Sequence, residues 1–142
     1  MLAKTPLEGR CILVVDDDAT MRQLLDRILR VAGATVLTAS DGATALNVLD
    51  RCRLDLILTD IDMPVMNGLE EARNARCRGY RGKIIAVSAS GVDHACLTGA
   101  GIDKMIPKPF RGGALVSDIV ASLPQTQAFL ALQPERCHSS AS

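Results

Sequence analysis

The sequence predicts an α/β domain, a doubly wound five-stranded parallel sheet with helices on both faces. Three observations predict it. Short apolar runs and amphipathic stretches alternate five times, at about 20 residues per unit. The first run, Cys11–Val15 (CILVV), is apolar without interruption, as strands buried on both faces are in parallel sheets. Polar residues (Asp16-Asp17, Asp60, Ser88, Lys108) follow four of the runs, where strands of one parallel sheet share an edge. Right-handed crossovers between successive strands complete a doubly wound arrangement.

In chain order, Met1–Arg10 reads as a leader or linker and Cys11–Val15 as the first strand. Asp18 is a good N-cap for the next helix. There Met21, Leu24, Leu25, Ile28 and Leu29 recur at helical spacing, and Gly33 closes it. Thr35–Thr38 is a short second strand. Asp41 caps a second helix that turns Ala45, Leu46, Val48 and Leu49 inward. The apolar run Leu56–Leu58 leads to Asp60 and Asp62, then a Met63-Pro64 break, then Asn67-Gly68 opening a third helix, about Gly68–Cys77. Glu70 and Glu71 early in that helix, with Arg73 and Arg76 late, suit the helix dipole. The arginines from Arg73 to Arg81 read as a solvated surface, and Arg78–Gly82 as a turn. Ile84–Val87 is the fourth strand, Val92–Thr98 a short helix, Lys104–Ile106 the fifth strand. The last helix, Arg111–Leu123, aligns Leu115, Val116, Ile119, Val120 and Leu123. Gly112 and Gly113 weaken its first turn and Pro124 ends it. After it come an apolar patch, Phe129–Leu132, and a Ser/Ala tail expected to be largely disordered.

The length of 142 residues suggests one domain, and nearly half the residues are hydrophobic, enough for one core. Tyr80, Phe110 and Phe129 are the only aromatics, so aliphatic residues must build that core. Formal net charge is zero, which gives nucleic acid or an anionic membrane no overall basic field to meet. No apolar segment reaches about 18 residues and the N-terminus lacks a secretory core, so the chain is expected in the cytoplasm without a membrane span. Cys11, Cys52, Cys77, Cys96 and Cys137 form no C-x-x-C pair and read as reduced, mostly buried small hydrophobes, with Cys137 as an exposed thiol in the tail.

The strand ends carry the chemistry. A carboxylate such as Asp60 at a strand end can be a metal ligand, a nucleophile or a solvated loop residue. If the first and third strands are neighbours, Asp16, Asp17 and Asp60 converge, and such a cluster is costly near neutral pH without a cation. A hard divalent metal, Mg²⁺ first, takes oxygen ligands and bridges to phosphoryl groups. A lysine and a hydroxyl aimed at the same point would hold the remaining phosphoryl oxygens. Three acids, a hydroxyl and a lysine make a site for phosphoryl transfer to a carboxylate.

These residues resemble the receiver domain of bacterial two-component response regulators. The matching motifs are Asp16-Asp17, the strand LILTD at Leu56–Asp60 with Met63-Pro64 and Gly68 after it, Ser88-Ala89, and Lys108-Pro109-Phe110, in the family's order. The resemblance covers about 10–123. It implies a flavodoxin-like (βα)5 fold with strand order 2-1-3-4-5, a receiver domain at 11–123 and a tail at 124–142. It implies that Asp60 is the phosphoacceptor, that Asp17 is the main direct metal ligand, and that Asp16 acts mostly through metal-bound water. The backbone carbonyl of Asp62 supplies another ligand, and Ser88 and Lys108 contact the phosphoryl group. The implied cofactor is Mg²⁺, with Mn²⁺ as an alternative. The implied donor is a histidine kinase or histidine phosphotransfer protein, and the output is a downstream protein rather than DNA. A cis Lys108–Pro109 bond belongs to the same pattern.

Two departures fall on the reporting face. Met105 stands where receivers usually carry Tyr or Phe, and the Ser88–Lys108 segment is shorter than the family's, so the fourth helix should be short. An unbranched Met fills its gap in either state without a large flip, so phosphorylation should move the Ser88 loop more than the fifth strand. His94 and the Asp62 side chain read as solvated. Another reading, a metal-dependent aspartyl phosphohydrolase using Asp60 and Asp62, lacks a substrate-covering insertion. A flavin-binding reading lacks a Ser/Thr-rich phosphate loop after the first strand. After Leu123 only 19 residues remain, too few for an output domain. The expectation is therefore a stand-alone receiver, or one excised from a larger protein such as a hybrid kinase. It would promote only its own aspartyl phosphorylation and dephosphorylation.

Overall fold

Five parallel strands form one sheet: β1 (Cys11–Val15), β2 (Thr35–Ala39), β3 (Leu56–Asp60), β4 (Lys83–Ser88) and β5 (Lys104–Pro107), in the order β2-β1-β3-β4-β5. The structure, a computed structural model, describes residues 5–63, 67–89 and 93–124. The expectations for residues 1–4, Pro64, Val92, Phe129–Leu132, Cys137 and the tail lie outside them. The helices are α1 (Ala19–Val31), α2 (Gly42–Arg51), α3 (Gly68–Cys77), α4 (His94–Gly99) and α5 (Gly112–Ser122). The flavodoxin-like order expected from the sequence is the observed one.

Strand alternation divides the core into two layers. Ile12, Val14, Leu56, Leu58, Ile85 and Val87 face Leu25 and Leu29 of α1 and Leu115 and Ile119 of α5. Leu13, Val15, Ile57, Ile84 and Ala86 face Ala45 and Leu46 of α2, Ala72 and Ala75 of α3, and Leu97 of α4. All five residues of β3 are buried, as a central strand covered on both faces must be. Leu7, ahead of β1, is fully buried in the first layer, and its N–H donates to the Ala32 carbonyl.

Local signals set the helix ends. The Asp18 carboxylate accepts from Thr20 N–H and that of Asp41 from Thr44 N–H. Asn67 and Glu70 form a reciprocal capping box at the start of α3. Gly33 follows α1 at φ +103°, a left-handed position that a side chain would strain. The fourth helix is short, at six residues, and starts and ends one to two residues later than its apolar pattern suggested. The last helix is a residue shorter at each end than expected, because Arg111 and Leu123 both have extended backbone.

Two surface expectations fail. Arg76 is not on a solvated face: it is half-buried and bridges α3 to the loop before β5. Its guanidinium donates to the carbonyls of Gly101 (3.0 and 2.8 Å), Tyr80 (3.0 Å) and Gly82 (2.8 Å) and to the Asp103 carboxylate (3.0 Å). It also lies 5.5 Å from the Tyr80 ring centre. The described cysteines are free thiols, but they are not mostly buried. Cys52, Cys77 and Cys96 are exposed because they fall on the outer faces or ends of their helices, and Cys11 is half-buried.

Candidate functional site

The parallel register brings the ends of β1, β3, β4 and β5 to one edge. Asp60 is in register with Val87, and Ser88 with Pro107. Backbone bonds carry the pairing one residue past the strands: Asp16 N–H to Ala39 O (3.2 Å), Ile61 N–H to Val87 O (3.1 Å) and Lys108 N–H to Ser88 O (2.9 Å). The backbones of Asp16, Ile61 and Lys108, which follow separate strands, are therefore tied to the ladder itself.

Three acids meet there. One carboxylate oxygen from each of Asp16, Asp17 and Asp60 lies within 4.8 Å of the others. Asp16 and Asp60 are buried, and Asp17 is exposed. Short-range bonds aim the two buried acids: Asp16 Oδ1 accepts from Asp18 N–H and Asp60 Oδ1 from Asp62 N–H, both at 2.9 Å. The Lys108 ammonium lies 3.3 Å from Asp60 Oδ2, and the Lys108–Pro109 bond is cis. Burial pushes the Asp16 carboxyl above its ordinary value, and the charges of Asp60 and Asp17 push it the same way. The Asp18 N–H and Lys108 oppose the shift. Crowded, partly desolvated carboxylates are a set of hard oxygen donors, which suits a divalent cation of the Mg²⁺ type.

Close packing of α3 against the end of β3 supports this edge. A Cβ on Gly68 would lie 2.7 Å from the Asp60 carbonyl oxygen and 3.0 Å from Ile61 Cα, so only glycine permits the approach. Ser88 is buried and its hydroxyl donates to Asp62 Oδ2 at 3.1 Å. The Asp62 side chain is exposed, as expected, but it is also a hydrogen-bond acceptor inside the site, because β4 brings Ser88 beside it. Met105 is half-buried and packs against the second core layer, away from the acids. His94 is exposed.

Sequence reasoning missed two features. Arg22, one turn into α1, donates to the Asp16 carbonyl at 2.8 Å and braces the loop that carries the acids. Glu71 is 1% exposed, and its carboxyl accepts the Thr59 hydroxyl at 2.6 Å. Burial raises the Glu71 carboxyl to about 7, against the lowering influence of the Thr59 hydroxyl. The available signal was parity: Thr59 shares the Ile57 face of β3, which α3 covers.

A strand-end acid pair, a lone acid, a hydroxyl and a lysine now stand together on a five-stranded parallel sheet. The sequence model of the family described as Response regulator receiver domain matches residues 12–120. The chain belongs to that family. Among solved structures, it is similar to chemotaxis protein CheY4 of Vibrio cholerae, at 29% identity and a TM-score of 0.78 over 80% of this chain and 98% of that one. It is also similar to response regulator protein TrrA of Thermotoga maritima, solved in complex with Mg(2+)-BeF. The identity there is 32% and the TM-score 0.74, over 80% and 99% of the two chains. Among curated proteins it is 37% identical over 108 residues to Regulator of RpoS of Escherichia coli (strain K12), covering 75% of this chain and 32% of that protein. It is 37% identical over 114 residues to Transcriptional regulatory protein CpxR of the same organism, covering 79% and 48%. The chain thus spans about a third to a half of the length of these curated relatives. It is a two-component receiver domain, a signalling-module family, and the phosphohydrolase alternative is not favoured. No helix among the described residues is long and apolar enough to cross a membrane.

Proposed function

We propose that Asp60 accepts a phosphoryl group from a histidine kinase or histidine phosphotransfer protein, in a step that requires a divalent cation. The observation that carries this is the buried Asp60 carboxylate beside both Asp16 and Asp17 and 3.3 Å from the Lys108 ammonium. The carboxylates of Asp16, Asp17 and Asp60 and the backbone carbonyl of Asp62 would hold the cation, Mg²⁺ first and Mn²⁺ second. When bound, it offsets the mutual repulsion of the acids and the charge of the phosphoryl group.

An Asp60 carboxylate oxygen attacks phosphorus while the bond from phosphorus to the donor's imidazole nitrogen breaks. The electron pair leaves with the imidazole, which takes up a proton. Lys108 turns from the bare carboxylate to the phosphoryl oxygens. The Ser88 hydroxyl exchanges its bond to Asp62 for one to a phosphoryl oxygen, and that exchange moves the end of β4. Met105 fits either arrangement of the neighbouring core, so the output change should be larger around Ser88 than along β5. The receiver unit is 11–123, preceded by residues 1–10, of which Leu7 packs into its first core layer, and followed by a tail at 124–142. It acts in the cytoplasm, promotes only its own phosphorylation and dephosphorylation, and passes the signal to a downstream protein.

The test is intact mass after incubation with a small phosphodonor. Wild type with Mg²⁺ should gain one phosphoryl mass, whereas wild type with EDTA and Asp60→Asn with Mg²⁺ should not. Uptake by Asp60→Asn at the wild-type rate would sink the assignment.

A further inference from the structure

The opposite edge of the sheet holds a cavity of about 550 Å³, within the usual range for small-molecule sites. Four separate stretches of chain form it: Arg10 before β1, the end of α2 through Asp55, the α3–β4 turn at 78–83, and Leu123-Pro124 after α5. Its floor at Asp55 and the acceptor at Asp60 are separated by the length of β3, roughly 16 Å at strand rise. It is therefore distinct from the acidic site.

Its charge is the reverse of that site's. Arg10, Arg53, Arg78, Arg81 and Lys83 line it against two carboxylates, Asp50 and Asp55. Arg10 approaches Asp55 (3.9 Å), and Arg78 pairs with Asp50. Among the described residues, Arg81 and the Lys83 ammonium meet no carboxylate. The chain as a whole is neutral, and the cavity-lining turn at 78–83 carries three cations and no acid, so the excess here is a local concentration. Guanidinium groups match the oxygens of phosphate in bidentate geometry. The wall also presents Leu54, Leu123 and the Tyr80 ring, an apolar surface that a simple inorganic anion would not use.

We propose that this cavity binds a small organic polyphosphate, of nucleoside-diphosphate size and chemistry. The phosphates would lie against Arg53, Arg81 and Lys83 and the organic part against Leu54 and Tyr80. The test is calorimetric titration of the full chain with ADP and, separately, with inorganic pyrophosphate, in EDTA so that the acidic edge takes no cation. ADP should bind, and more tightly than pyrophosphate. The double change Arg81→Glu with Lys83→Glu should weaken ADP by about tenfold or more. Arg27→Glu with Arg73→Glu, which shifts net charge equally at exposed positions outside the cavity, should not. Lys83 is half-buried, so Arg81→Glu alone and amide shifts of the wild type provide readouts independent of the double variant's folding. ADP should move the amides of 52–55 and 78–83 and leave 16–18 and 60–62 in place. No binding of ADP at low-millimolar concentration, equal loss in the charge-matched control, shifts confined to the acidic edge, or pyrophosphate binding as tightly as ADP would each overturn the proposal.

Discussion

At one edge of the sheet, Asp16 and Asp60 are buried and their carboxylates stand beside those of Asp17 and each other, with Lys108 as the nearby ammonium. At the other edge, Arg10, Arg53, Arg78, Arg81 and Lys83 surround an open cavity, and Arg76 is tied into the loops beside it. The acids sit directly after strands, so the hydrogen-bond ladder sets their positions. The cations come from three stretches of chain that only the closed fold brings together. The comparison teaches where charge is costly. The acidic edge retains repulsion that a ligand must relieve, whereas Arg76 has carbonyls enough to satisfy its guanidinium without any ligand.

That contrast can be broken from either side. The largest effects should come from the packing that holds each edge. Gly68→Ala forces a methyl to within 2.7 Å of the Asp60 carbonyl oxygen, so α3 or the end of β3 must shift. It should cost about 1–3 kcal/mol in urea unfolding and slow phosphoryl uptake as well, because the displaced residue is Asp60 itself. Arg76→Met removes the donors to Gly101, Tyr80 and Gly82. It should cost about 2–3 kcal/mol while leaving phosphoryl uptake nearly unchanged, since nothing at the acidic edge depends on it.

An effect of opposite sign, confined to the upper pH range, belongs to Glu71. Its carboxyl titrates near 7 in the folded protein and near the ordinary 4.5 when unfolded, so between those values the folded state holds the extra proton. Its contribution is therefore full below about 4.5, declines as pH rises, and is lost above 7. Glu71→Gln keeps an acceptor for the Thr59 hydroxyl and cannot ionise. It should raise stability at pH 8 by about 1–3 kcal/mol, change little at pH 5, and flatten the pH dependence in between. Denaturant midpoints at the two pH values check this. The smallest effect is at the exposed Arg78–Asp50 pair, where Arg78→Ala should change stability by no more than about 0.5 kcal/mol.

The acidic edge was legible in the sequence because strand ends are local signals. CILVV followed by three aspartates and LILTD ending on Asp60 place the acids before any tertiary contact is known. The capping residues Asp18 and Asp41, and the helix opening at Asn67-Gly68, were legible for the same reason. Arg76 and Glu71 were not. Each lies on a helix whose own pattern is compatible with exposure, and each is buried by a partner distant in sequence, Gly101 in one case and Thr59 in the other. The Ser88–Asp62 bond and the brace from Arg22 to Asp16 likewise need the strand order and loop path, which no single segment contains.

The central claim is that Asp60 alone carries the phosphoryl group. Borohydride reduces an aspartyl phosphate to homoserine, so the acceptor can be located by peptide mass spectrometry after incubation with Mg²⁺ and a small phosphodonor. The account predicts homoserine at residue 60 and nowhere else. Homoserine at Asp16, Asp17 or Asp62, or a phosphoryl group retained on His94 with Asp60 unchanged, would contradict it.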